Sequence, residues 1–128
     1  MKKKNLFLTL VVSTTLAACS GYGMRAAAPA MTSGDMLTGS NGMTLYVFDK
    51  DAAGSGKSMC NGPCVTNWPP LFAMDSDTPS GDYSIISRDD SKKQWAFKGK
   101  PLYYWSKDVK AGDKGGEGFN NVWHVAKP

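Results

Sequence analysis

Histidine is almost missing from this chain. His124 stands alone among 128 residues. Any Ser-His-Asp triad would have to use it, and no such pattern stands out. Cysteine is sparse as well, at three residues. The apolar run Leu6–Leu16 is too short to span a bilayer as a helix. No amphipathic helical stretch of useful length appears, which argues against an α-helical domain. A lasting charge surplus is also lacking. The 15 basic residues exceed the 11 acidic ones, but Lys2, Lys3 and Lys4 stand at the extreme N-terminus. Without those three, 12 basic residues face 11 acidic ones, a net charge of +1. No basic patch remains for phosphate contacts, so nucleic acid is not an expected partner.

What is present begins with an address. Three lysines, the short apolar run and small residues before Cys19 read as a secretory signal. Leu16-Ala17-Ala18-Cys19 resembles the lipobox of bacterial lipoproteins. The resemblance implies cleavage before Cys19, lipid on its sulfur and amine, and a membrane anchor without a spanning helix. Ser20, with no Asp beside the cysteine, resembles outer-membrane sorting facing the periplasm in a Gram-negative cell. The expected organisation is a signal peptide at 1–18, lipidated Cys19 with a flexible Ala/Pro-rich tether over 19–33, and a folded domain over 34–128.

The domain contains a repeat. Gly42-Met43-Thr44-Leu45-Tyr46-Val47-Phe48-Asp49-Lys50-Asp51 and Gly99-Lys100-Pro101-Leu102-Tyr103-Tyr104-Trp105-Ser106-Lys107-Asp108 share G-x-x-L-Y-x-aromatic-x-K-D. Each runs on through a polar loop to an Asn and a Trp, Trp68 and Trp123. Two copies are too few for a solenoid, so they should pack on each other. In each strand Tyr and the motif aromatic share one face, with Leu45 and Val47, or Leu102 and Tyr104, on the other. Further strands are expected over 82–87, 93–98 and 121–126, with a tight turn at Lys98-Gly99-Lys100. The fold class is mainly β, a small sandwich or partly open barrel of two related units.

Tyr46/Phe48/Asp51 and Tyr103/Trp105/Asp108, with C-x-G-x-C and W-P-P between them, resemble the bacterial "secreted repeat" lipoproteins that carry two Yx(F/W/Y)xxD motifs. The resemblance covers residues 40–128 and implies fold and envelope location, with no activity attached. Asp90 departs from it, because Gly often follows the Arg-Asp formed here by Arg88 and Asp89.

The candidate chemistry is limited. Asp51 and Asp108 end their strands where Gly-rich loops begin, so each carboxylate should cap backbone N–H groups. The alternative is a pair of acid/base carboxylates. The tyrosines read as core, or alternatively as an aromatic platform for a flat ligand. A phosphate loop at 54–58 lacks its first glycine, and an EF-hand at 49–60 lacks ligands at Ala53 and Cys60. Asp108, Asp113 and Glu117 could form a looser cation site. In an oxidising compartment Cys60 and Cys64 are an expected disulfide on a short turn over 63–67. The alternatives are thiol–disulfide exchange, or copper held by Cys60, Cys64 and His124 with help from Met59, a spacing that resembles Sco-type proteins. The expected protein is non-enzymatic and has no cofactor, copper being the alternative. Its partners would be a membrane, reached through lipid on Cys19, and a protein or small-molecule ligand.

Overall fold

The computed structural model describes residues 28–128. The signal peptide, the lipobox and Cys19 lie outside the described residues. The strands are β1 (Met31–Ser33), β2 (Met36–Thr38), β3 (Tyr46–Phe48), β4 (Phe72–Ala73), β5 (Tyr83–Ser87), β6 (Lys93–Phe97), β7 (Lys100–Pro101) and β8 (Trp123–Val125). One helical turn, α1 (Pro63–Asn67), follows the cysteine pair, and a 3-10 turn spans Phe119–Asn121. Proline opens α1, where its missing N–H is no loss.

The strands form three small antiparallel sheets, β1-β2, β3-β8 and a four-stranded group of β4, β5, β6 and β7. Isolated bridges, Tyr46 with Tyr103 among them, add antiparallel pairings outside these strands. The β1-β2 hairpin turns at Gly34, which takes a positive φ, and Ala30 before it is buried. The folded unit therefore includes residues 30–33, which the sequence reading assigns to the tether. Short polar residues hid a strand whose partner, β2, supplies the buried face.

Each copy contributes one hairpin and one motif strand, and each lends its closing segment to the other. In copy one, Leu45 N–H reaches Leu37 C=O at 3.0 Å. In copy two, Leu102 N–H reaches Trp95 C=O at 3.0 Å. The closing segments then cross. Leu37 N–H bonds Ala126 C=O at 2.9 Å, and Trp95 N–H bonds Leu71 C=O at 2.9 Å. Accordingly β8 pairs with β3, Pro70 bridges Tyr103, and β4 pairs with β6. Lys98 and Gly99, both at positive φ, close the two-residue turn between β6 and β7, as a twisted hairpin requires.

Two cores lie on opposite faces of the motif strands. One gathers Tyr46, Cys60, Trp68, Tyr103, Trp105 and Trp123, with Phe48 against it. The other gathers Ala30, Leu37, Leu45, Leu102 and Ala126, with Val47 and Tyr104 against it. This is the alternation expected of strands covered on both sides.

Candidate functional site

The two Tyr motifs meet at the centre, and their partners are exchanged. Tyr46 N–H donates to Tyr103 C=O at 2.8 Å, and Tyr103 N–H returns the bond at 2.9 Å. The Tyr46 hydroxyl donates to Asp108 at 2.5 Å, and the Tyr103 hydroxyl donates to Asp51 at 2.5 Å. Each tyrosine thus uses the carboxylate of the other copy. Each carboxylate also caps its own loop, Asp51 accepting Met59 N–H at 2.6 Å and Asp108 accepting Gly115 N–H at 3.0 Å. Burial first, and then the adjacent carboxylate, push both tyrosine hydroxyls far above the usual phenol range. Burial also raises Asp51, against the opposing pull of Tyr103, Met59 N–H and the Arg88 charge.

The aromatic residues follow the same exchange. Phe48 stacks on Trp123 at 4.2 Å, Trp123 on Trp68 at 3.8 Å, and Trp68 on Trp105 at 4.1 Å. Each motif aromatic therefore rests on the Trp of the other copy. Tyr46 meets its own Trp68 edge-on, and Tyr103 meets its own Trp123 edge-on. Trp68 and Trp123 are 3% exposed and Tyr46 and Tyr103 are fully buried, so this is interior packing with no platform open to a ligand.

The cysteine loop docks on a polar chain that the sequence reading missed. Cys60 and Cys64 are disulfide-bonded, with Cys60 fully buried. Arg88, whose side chain is wholly buried, donates to Cys60 C=O at 2.8 Å, Ser58 Oγ at 2.9 Å and Gln94 Oε1 at 2.8 Å. Ser58 Oγ lies 2.7 Å from the Tyr103 hydroxyl. The single proton of each hydroxyl orders the chain: Arg88 donates to Ser58, Ser58 to Tyr103, and Tyr103 to Asp51. Asp90 takes the Arg88 Nε at 3.1 Å and caps Lys92 N–H, while Ser91 adopts the positive φ. The turn over 88–92 thus accommodates Asp90.

His124 does not join the cysteines. Trp123 points into the aromatic core, so His124 points to the other face of the β3-β8 pair, beside Val47. There its Nε2 lies 2.8 Å from Asp49 and its Nδ1 3.5 Å from Glu117. The Asp49 hydrogen bond, chiefly, raises the imidazole pKa and favours its cation. The carboxylates of the looser cation site are also dispersed among other partners. Asp108 serves Tyr46, Asp113 caps Val109 and Lys110 N–H, and Glu117 holds Val125 N–H at 2.5 Å. Among the described residues no group of three His, Cys, Asp or Glu is placed to hold a metal ion.

A charged concavity opens beside His124. This cleft of about 500 Å³ has Val47, Phe97, Val125 and Ala126 on its apolar side. Lys98, Lys100 and Lys127 line it as well, together with Asp49, Glu117 and His124. A second cleft, about 550 Å³, lies beside the β1-β2 hairpin and has no charged residue in its lining.

Two copies of one β unit, fused in tandem and completing each other's core, define a duplicated-repeat β domain. Residues 30–72 and 84–127 each match the model of a lipoprotein family described as a secreted repeat of unknown function, and the chain belongs to that family. A lipoprotein family implies a lipid anchor and an envelope location. Neither a curated protein nor a solved structure matches the chain.

Proposed function

We propose that the chain is an envelope protein anchored by lipid on Cys19, whose β domain is a non-enzymatic binding module. One observation carries the reading. The residues common to both copies satisfy one another in the interior, Tyr46 with Asp108 and Tyr103 with Asp51, so the motif serves the fold. A carboxylate acid/base pair needs a substrate within hydrogen-bond reach of both groups, and Asp51 is only 6% exposed. The lipobox and the lipoprotein family together support Cys19 as the acylated residue, with the domain facing the periplasm in a Gram-negative cell. Intact-mass analysis of envelope-derived protein should show an acylated N-terminal Cys19 and lose it with Cys19→Ser. Turnover of any substrate that disappears in Asp51→Asn while the melting temperature holds would overturn the non-enzymatic assignment.

A further inference from the structure

The cleft beside His124 combines charged groups with apolar area. Its two carboxylates are already engaged, Asp49 with His124, and Glu117 with His124 and Val125 N–H. Among the described residues, its three lysines, Lys98, Lys100 and Lys127, form no ion pair with any carboxylate, and Lys98 Nζ lies 5.2 Å from the centre of the Phe97 ring. The two-residue turn at Lys98-Gly99 sets Lys98 and Lys100 on either side of a bend, and both line the cleft. Three lysines thus stand around an apolar floor whose side-chain carboxylates are turned to other partners. A cleft of this volume is within the range of small-molecule sites. Unpaired lysines above an apolar floor complement a ligand with a negative head and an apolar body.

We propose that this cleft binds a monomeric amphipathic anion, a carboxylate or phosphate carried on a short alkyl or single-ring body. The apolar body lies along Val47 and Phe97, and the head reaches Lys98 and Lys100. The proposal rests on the binding-module reading and supplies its ligand class. Lys98 and Lys100 are exposed, so replacing them should leave the fold intact.

The test uses the full chain carrying Cys19→Ser, titrated with decanoate below its micellar range and followed by NMR. Expected are saturable shifts at Val47, Phe97, Val125 and His124. Decanol should bind at least roughly tenfold more weakly, and Lys98→Gln with Lys100→Gln should weaken decanoate about tenfold. Equal binding of decanol and decanoate would remove the anion from the proposal. Shifts elsewhere, or no saturation, would remove the site. Binding to anionic phospholipid vesicles without any decanoate response would make the surface a membrane contact and overturn the monomeric ligand. Mass spectrometry of the recovered decanoate keeps the two readings apart: altered decanoate overturns the non-enzymatic reading, whereas unchanged, unbound decanoate overturns only the ligand.

Discussion

Copy one secures the loop after Asp51 with a disulfide, a buried arginine and a serine hydroxyl, whereas copy two secures the loop after Asp108 with the Asp113 carboxylate and closely packed glycine backbone. Both loops must bring an N–H to the motif carboxylate, Met59 in one and Gly115 in the other. In copy one the Cys60 side chain fills the space beside the aromatic core. In copy two Gly116 approaches so closely that an added Cβ would lie 2.7 Å from Trp68 and 2.9 Å from Tyr46. The consequence is unequal burial. Asp51 is 6% exposed and linked through Tyr103 and Ser58 to Arg88, whereas Asp108 is half-buried. One motif can therefore be finished in two ways, because it requires a capped carboxylate and leaves the rest of the loop free.

The aromatic stack is where the copies are most alike, and breaking it should have the largest effect. Trp68→Ala and Trp123→Ala should each destabilise by about 3–5 kcal/mol, the usual loss for a buried aromatic. Urea midpoints that differ widely between the two would show the stack to be less symmetrical than its geometry.

The hydroxyls should separate the copies. Tyr103→Phe strands Asp51 and Ser58 in a buried setting and should lose about 2–3 kcal/mol. Tyr46→Phe leaves Asp108 access to water and should lose about 1 kcal/mol. The reverse order in chemical denaturation would contradict the burial argument.

Reducing the disulfide should lower stability by about 2 kcal/mol, the entropic value for so short a loop. Hydrogen exchange should rise over 58–68 and hold steady over 113–118. Loss of protection in both loops would mean that copy two depends on the bridge in copy one.

The smallest effect concerns the outer face, where Asp49 of copy one and Glu117 of copy two hold His124. The folded imidazole pKa lies above its ordinary 6.5, so its contribution is complete below that value and fades as pH rises through the folded one. With the histidine side chain 39% exposed, the gain should stay under about 1 kcal/mol. Wild type should exceed His124→Gln in denaturant midpoint at pH 5, and the gap should shrink by pH 8. A gap that widens with pH would reverse the assignment.

Much of this was legible in the chain. The repeated Leu-Tyr-x-aromatic pattern gave both motif strands and their two apolar faces, because alternation along a strand is a local property. Pro63 marked the helical turn, and Lys98-Gly99 marked the hairpin. The β1-β2 hairpin left a signal too, Gly-Asp between short polar runs, weaker than the Ala/Pro composition before it. Arg88 gave no such sign. An arginine in a polar segment reads as exposed, and the converging oxygens of Cys60, Ser58, Gln94 and Asp90 make its burial tolerable. The engagement of His124 with Asp49 and Glu117 was equally hidden, since the partners stand 75 and 7 residues away.

By itself the sequence determined that there are two copies, that each builds a two-faced strand ending in an aspartate, and that the cysteine loop belongs to the first alone. Those are properties of neighbouring residues. Which aspartate serves which tyrosine, and which tryptophan covers which ring, was decided only by the tertiary structure. Identical motifs carry no label for their partner, so the crossing of the closing strands through space made that choice.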